Sequence, residues 1–166
     1  MKLFLLRHAQ ANDTWPDSDR ALTRFGEEQV GKLCRILEKR EFENVAQIWH
    51  SPFARAARTA EIFKECMNLQ APLVPSPEIR PDENPHAAAR MIASVSCFGR
   101  DFIVVSHNPL LENLSDILLN GEKRGGKTAF GKCSIAALTM QSPPSQDGEY
   151  GFWSLDFLIS PSVISD

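Results

Sequence analysis

Residues 2–9 read KLFLLRHA, an apolar run that ends in an arginine and a histidine. Short apolar runs bounded by polar residues are typical of buried β-strands. Residues 46–52, AQIWHSP, and residues 102–109, FIVVSHNP, repeat the same arrangement. In an open α/β sheet, ligands bind outside the carboxyl ends of the strands. We therefore expect His8 and His107 to lie at one rim of a sheet and to share a site.

Strand and helix patterns alternate along the rest of the chain. Thr23, Ser51 and Asn84 are suitable helix N-caps, and Gly121 is a suitable helix stop. This alternation predicts an α/β fold, a three-layer α/β/α sandwich with a mostly parallel central sheet. We expect one domain over residues 1–159 and a short tail over residues 160–166. The predicted strands cover residues 2–6, 46–49, 71–75, 102–105, 134–140 and 152–159, and the predicted helices cover residues 23–40, 52–68, 84–96 and 108–120.

The composition excludes several classes of function. The chain has 166 residues and a formal net charge of -3, which gives no basic footprint for nucleic acid. No apolar stretch is long enough to span a bilayer. The four cysteines form no C-x-x-C pair, which disfavours a zinc ribbon or a redox dithiol. We expect a cytoplasmic protein whose cysteines stay reduced.

Two arginines and two histidines at the predicted rim favour phosphoryl transfer. Arg7 and Arg55 offer paired, permanently charged donors that suit phosphate. His8 can attack phosphorus only as neutral imidazole, and nearby arginines favour that form by lowering its pKa. His107 is a further candidate phosphate donor. Arg55 lies in the first turn of a predicted helix, where a cation opposes the helix dipole, so phosphate binding would explain its placement.

Three segments together resemble the histidine phosphatase superfamily. Residues 6–9 (LRHA) resemble its Arg-His-Gly/Ala signature, residues 51–60 (SPFARAARTA) its second motif, and residues 106–109 (SHNP) its third. The order and spacing agree, and the resemblance extends from Lys2 to about Leu158. The short chain and Ala9 are most similar to the SixA-type phosphohistidine phosphatases, which carry an Arg-Pro-Leu-Thr-like segment where residues 20–23 read RALT.

This resemblance implies a phosphoglycerate mutase-like fold and a role for each motif residue. His8 is then the nucleophile that becomes phosphorylated, and Arg7, Arg55 and His107 bind the phosphoryl group. Arg20 is an additional candidate phosphate or substrate contact. The resemblance implies no metal and no cofactor. The expected partner is a phosphohistidine-containing protein, either a histidine phosphotransfer domain or a phosphocarrier, and we expect a monomer.

The general acid and the substrate stay open at this point. Glu78 and Asp82 are the candidate acids, in a region where larger relatives carry a longer insertion. A phosphohistidine substrate needs an acid less than a phosphate ester does, because imidazole leaves more readily than an alkoxide. One alternative is a phosphomonoesterase acting on a small phosphorylated metabolite. Others are a low-activity phosphoprotein-binding module and, less favoured for want of a carboxylate-bearing metal motif, a metallohydrolase.

Several further side chains have two possible roles. Trp15 either lines the mouth of the site or packs, and His50 is expected to be structural or to support the site from behind. Arg58 is expected to form a structural ion pair. Four cations late in the chain are expected to form a solvated loop, with docking of an acidic partner as the alternative. These four are Lys123, Arg124, Lys127 and Lys132.

Overall fold

The structure, a computed structural model, describes residues 1–121, 128–146 and 149–163. Within them the chain forms six strands and four α-helices. The strands are β1 (Lys2–Arg7), β2 (Val45–His50), β3 (Leu73–Pro75), β4 (Asp101–Ser106), β5 (Ile135–Ser142) and β6 (Phe152–Ile159). The helices are α1 (Arg24–Ile36), α2 (Ala54–Met67), α3 (Pro85–Val95) and α4 (Leu110–Asn120).

The six strands form one sheet in the order β3-β2-β4-β1-β5-β6. The first four strands in this order are parallel to their neighbours, and β5 is antiparallel to both β1 and β6. Buried side chains of α1 and α2 pack on one face of the sheet, and those of α3 and α4 pack on the other. The predicted three-layer sandwich with a mostly parallel sheet is confirmed.

Strand register brings the carboxyl ends of three strands to one edge. Arg7 at the end of β1 is paired with Ser106 at the end of β4. The ladder continues one residue further, since the His8 N–H donates to the Ser106 carbonyl at 3.0 Å. On the other side of β4, the Ser51 N–H donates to the Val105 carbonyl at 3.0 Å. The polar residues that follow β1, β2 and β4 therefore lie side by side.

Helix α1 begins as predicted but ends early. Thr23 is its N-cap, with a side-chain oxygen that accepts from the Gly26 N–H at 3.0 Å. The helix was predicted to reach Arg40, but it ends at Ile36 and a 3₁₀ turn follows. This turn places Phe42 in the core, where its ring centroid lies 4.4 Å from that of Phe4. Burial of that aromatic ring outweighs the helix preference of the intervening residues.

Helix α2 begins later than predicted, so the expected Ser51 cap is wrong. Its N-cap position is Phe53, and no side chain caps it. Ser51 cannot start a helix because its backbone still belongs to the sheet through Val105. Two other predicted helix signals are confirmed: Asn84 caps α3 through its side chain, and Gly121 ends α4 in a left-handed conformation with φ of 74°.

The described chain ends in a short turn. Residues Pro161–Val163 form a 3₁₀ turn in which Pro161 is buried, and residues 164–166 of the expected tail lie outside the described residues.

Among the described helices, none combines the length and the apolar character that crossing a membrane requires.

Candidate active site

His8 lies at the centre of the rim, directly after β1. Its side chain is 8% exposed, and its Nδ1 lies 2.8 Å from the Ala9 carbonyl oxygen. A carbonyl oxygen can only accept, so Nδ1 carries the proton and donates it to Ala9. In the neutral ring the lone pair is therefore on Nε2, which is the atom that can attack an electrophile.

The His8 imidazole is held in its neutral form. Burial is the main cause, and the positive charges of Arg55, Arg7 and Lys132 add to it, lowering the pKa of His8 from 6.5 to about 4. The sequence predicted this direction from the arginines alone. Burial is the larger effect because the neighbouring strands and helices remove water from the ring.

His107 lies against His8, with ring centroids 4.8 Å apart. It is 2% exposed, and neither of its ring nitrogens has a hydrogen-bond partner among the described residues. Burial, followed by the nearby His8 and Arg55, lowers the pKa of His107 to about 2. A neutral imidazole has one donor and one acceptor, so His107 can still donate one hydrogen bond to a ligand at the rim.

The guanidinium of Arg7 has a hydrogen-bond partner at Nη1 but none at Nε among the described residues. Its Nη1 donates to the Phe130 carbonyl at 2.6 Å, a contact across 123 residues. Its Nε is buried without a partner in the described part of the chain. A buried donor of this kind costs free energy unless a ligand or water satisfies it. The unpaired Nε–H of Arg7 is therefore a donor that a bound anion would satisfy.

Arg55 shows the same division and is 5% exposed. Its Nη1 donates to the Asp17 carbonyl at 2.6 Å and its Nη2 to the Asp17 Oδ2 at 3.0 Å, while its buried Nε has no partner among the described residues. Phe53 packs beside it, with the Arg55 Cζ 5.1 Å from the ring centroid, and the same ring meets His107 edge-on. Sequence reasoning had assigned no role to Phe53.

Thr59 joins the His8 loop to helix α2. Its Oγ1 donates to the Arg55 carbonyl at 2.7 Å and accepts from the Ala9 N–H at 3.2 Å. The hydroxyl is buried, so both bonds form away from water. One side chain thus sets the distance between the backbone that carries His8 and the backbone that carries Arg55.

Lys132 is a member of the late basic cluster that the structure brings to the site. Its Nζ donates to the Gln10 Oε1 at 2.9 Å, its side chain is half-buried, and its charge contributes to the lowered pKa of His8. The expectation of a solvated loop is therefore wrong for Lys132. The other three cations of that cluster lie outside the described residues. The position of Lys132 could have been inferred from the apolar segment that follows it in the sequence. That segment forms β5, which pairs with β1 and so brings Lys132 close to His8.

Arg20 lies in the loop behind Arg55. Its nitrogens contact the Asn12 carbonyl at 2.7 Å, the Asp17 Oδ1 at 2.9 Å and the Asp13 carboxylate at 3.7 Å. These contacts hold the loop, and a contact with substrate stays a prediction. Trp15 in the same loop is 90% exposed, so it does not pack in the core.

The other predicted side chains lie around this group. Glu78 and Asp82 are both exposed, and Asp82 lines a shallow depression together with Phe53. Neither carboxylate is engaged with His8 or His107, so the acid stays unassigned. His50 ends β2 and binds the Ser51 carbonyl through Nδ1 at 2.9 Å.

Two remaining expectations concern ion pairs and metals. Arg58 pairs with Glu27 and Glu61 on the surface, as a structural ion pair should. In the described part of the chain, no three side chains among His, Cys, Asp and Glu are grouped so that they could hold a metal ion. His8, His50 and His107, the histidines that a metallohydrolase would use here, therefore do not form such a group among the described residues.

This chain is similar to known phosphatases in sequence and in fold. The model of the histidine phosphatase superfamily (branch 1) matches residues 3–80. Phosphohistidine phosphatase SixA of Escherichia coli (strain K12) is 29% identical over 142 residues, which cover 84% of this chain and 86% of that protein. The structure of the protein histidine phosphatase SixA complexed with tungstate aligns with a TM-score of 0.83 and 27% identity, covering 98% of this chain and 99% of that one.

A mycobacterial glucosyl-3-phosphoglycerate phosphatase shares the fold as well. Its native structure aligns with a TM-score of 0.69 and 20% identity, covering 93% of this chain and 96% of that one. The fold therefore also occurs in a protein whose named substrate is a small phosphate ester, and fold alone does not decide the substrate.

Proposed function

We propose that this chain, which is similar to the histidine phosphatase superfamily in sequence and in fold, is a member of it that removes the phosphoryl group from phosphohistidine in a protein, through a covalent intermediate on His8. One observation carries the proposal. Around the His8 ring, four buried nitrogens have no partner among the described residues: the Nε atoms of Arg7 and Arg55 and both ring nitrogens of His107. Guanidinium and imidazole donors that converge on a nucleophile match the equatorial oxygens of a phosphoryl group.

The first chemical step is the attack of His8 Nε2 on phosphorus. The new bond joins Nε2 to phosphorus, the bond from phosphorus to the substrate imidazole breaks, and that imidazole leaves with the electron pair. His8 gains positive charge in this step, and the hydrogen bond from its Nδ1–H to the Ala9 carbonyl becomes stronger as it does so. Arg7 and Arg55 balance the charge on the phosphoryl oxygens.

The second step regenerates the enzyme. Water attacks the phosphorus of phospho-His8, the bond to Nε2 breaks, and orthophosphate leaves. Both protons of the attacking water can leave on orthophosphate, so His8 returns to its neutral form with Nδ1–H and a free lone pair on Nε2.

The leaving group supports a nitrogen–phosphorus substrate over a phosphate ester. An alkoxide leaving group needs a proton donor close to the bond that breaks. Glu78 and Asp82 are exposed, and Asp17 is engaged by Arg55 and Arg20. Imidazole is a better leaving group than an alkoxide, so the reaction on phosphohistidine can proceed with these carboxylates where they are.

The protein partner and the compartment are part of the same proposal. The substrate is a histidine phosphotransfer domain or a phosphocarrier, and the protein acts as a monomer in the cytoplasm. None of the four cysteines forms a disulfide bond, in agreement with a reducing compartment.

A trapping experiment tests this function. A phosphocarrier labelled on histidine is mixed with the protein, the reaction is quenched in alkaline denaturant, and the label is mapped. We expect an acid-labile label on His8, no turnover by His8→Ala, and full activity of the control His86→Ala.

Two outcomes would count against the proposal. Turnover by His8→Ala would refute the nucleophile. Efficient hydrolysis of p-nitrophenyl phosphate or a sugar phosphate, with none of the phosphocarrier, would refute the substrate class.

A further inference from the structure

Asp17 makes more contacts with the site than any sequence motif indicates. It lies in a 3₁₀ turn (Asp17–Asp19) of the loop after β1. Its carbonyl oxygen and its Oδ2 accept from Nη1 and Nη2 of Arg55, at 2.6 and 3.0 Å. Its other carboxylate oxygen, Oδ1, accepts from Nη1 of Arg20 at 2.9 Å. Each oxygen of Asp17 therefore has a defined arginine partner.

These contacts determine which edge of Arg55 is available. A guanidinium has one edge formed by Nη1 and Nη2 and another formed by Nε and Nη2. Asp17 occupies the first edge. The second edge keeps the Nε–H, which is buried and without a partner among the described residues, and one hydrogen of Nη2. A bidentate contact with a phosphoryl group needs two such parallel donors.

Holding Arg55 in one rotamer has value because the side chain is long. An arginine loses up to about 2 kcal/mol of rotamer entropy when it is fixed. If the protein fixes it before substrate binds, that cost is not taken from the interaction with the phosphoryl group. The carboxylate of Asp17 stays ionised at neutral pH, since its hydrogen bonds with Arg20 and then Arg55 lower its pKa.

The neighbouring Asp19 provides a natural comparison. It belongs to the same 3₁₀ turn and is exposed, and its carboxylate accepts from the Ser18 hydroxyl. A general effect of negative charge in this loop would involve both aspartates. A positioning effect would involve Asp17 alone.

We propose that Asp17 is a positioning residue for the reaction: it fixes Arg55 so that the Nε–Nη2 edge is ready to bind the phosphoryl group, and Arg20 fixes Asp17 in turn. This inference rests on the proposed function of the site. Under this inference Arg20 acts on the phosphate-binding residues indirectly, by holding the Asp17 carboxylate that also binds Arg55.

Three variants test the proposal: Asp17→Ala, Asp17→Asn and the matched control Asp19→Ala. Steady-state kinetics with a histidine-phosphorylated phosphocarrier and titration calorimetry with orthophosphate give the readouts, and circular dichroism checks folding. We expect Asp17→Ala to lower kcat/KM and to weaken orthophosphate binding by about tenfold or more, as loss of one charge-assisted contact does. Asp17→Asn keeps the backbone contact and one side-chain acceptor, so its loss should be smaller. Asp19→Ala should stay within twofold of the wild type.

A double-mutant comparison separates positioning from loop stability. In an Arg55→Lys background there is no guanidinium edge to orient, so Asp17→Ala should change kcat/KM and orthophosphate affinity less than twofold. The same large loss in both backgrounds would overturn the proposal, because it would show a structural role of the loop. Wild-type kinetics from Asp17→Ala would overturn it too. If the wild-type protein binds orthophosphate, with this dependence on Asp17, but does not act on the phosphocarrier, the proposed function fails while the positioning role stands.

Discussion

Acidification should destabilise this protein through its buried histidines. In the unfolded chain His8 has an ordinary pKa of 6.5, whereas in the folded protein its pKa is lowered to about 4. Between these two values the unfolded chain binds the proton and the folded protein does not, so stability falls as the pH falls. The full difference corresponds to about 3 kcal/mol at 1.36 kcal/mol per pH unit.

A neutral replacement isolates the contribution of His8. About 2 kcal/mol of this stability is lost between pH 7 and pH 4.5, because most of the interval between the two pKa values of His8 lies within that pH range. His8→Asn has no charge to gain, so its free energy of unfolding should fall by about 2 kcal/mol less than that of the wild type over the same range. His107 acts in the same direction in both proteins, and because His8 contributes to the lowered pKa of His107, the measured difference includes that contribution.

Urea titrations at a series of pH values measure this difference, and proton NMR of the imidazole C–H groups measures the titration directly. The variant must first show a native near-ultraviolet circular dichroism spectrum at pH 7. Parallel stability curves for the two proteins, or a His8 resonance that titrates near 6.5, would show that burial does not hold the ring neutral. The reasoning about the nucleophile would then lose its electrostatic basis.

Two further predictions follow from hydrogen bonds in the site. Thr59→Val removes the hydroxyl that accepts from the Ala9 N–H and donates to the Arg55 carbonyl. Leaving these buried groups unpaired should lower the free energy of unfolding in urea by about 1–3 kcal/mol. An unchanged urea midpoint would contradict the role of Thr59 in holding the two backbones together. Orthophosphate should stabilise the wild type by about 2.7 kcal/mol at one hundred times its Kd; Arg7→Ala should show a much smaller shift in Tm, and an equal shift would place the anion elsewhere.

Much of the site could be predicted because it depends on local sequence and sheet topology. Each motif follows an apolar run, and parallel strands bring their carboxyl ends to one edge. The observed pairing of Arg7 with Ser106 and the hydrogen bond between Ser51 and Val105 produce this arrangement. The motifs at the strand ends predicted that His8 and His107 share one rim, and the structure adds that β4 lies directly beside β1.

The unpredicted contacts are those that join distant parts of the chain without a motif. Asp17 and Arg55 are 38 residues apart, and Arg7 and the Phe130 carbonyl are 123 apart. An aspartate three residues before Arg20 suggests a local ion pair at most, and a backbone carbonyl has no sequence signature. Such contacts depend on how loops cross the rim, which periodicity and capping signals do not determine.

The cost of burying the site fits the proposed reaction. A protein that only needed to be stable would pair the Nε atoms of Arg7 and Arg55 or leave them in water, since a buried unpaired donor costs about 1–3 kcal/mol. Here each arginine is paired on one side only. The same burial that makes these donors costly keeps His8 neutral and strengthens every interaction with a phosphoryl group, because water no longer screens it. In the proposed reaction, one physical cause, burial, therefore prepares both the nucleophile and the anion-binding arginines, and the bound phosphoryl group would supply the hydrogen-bond partners that the fold does not.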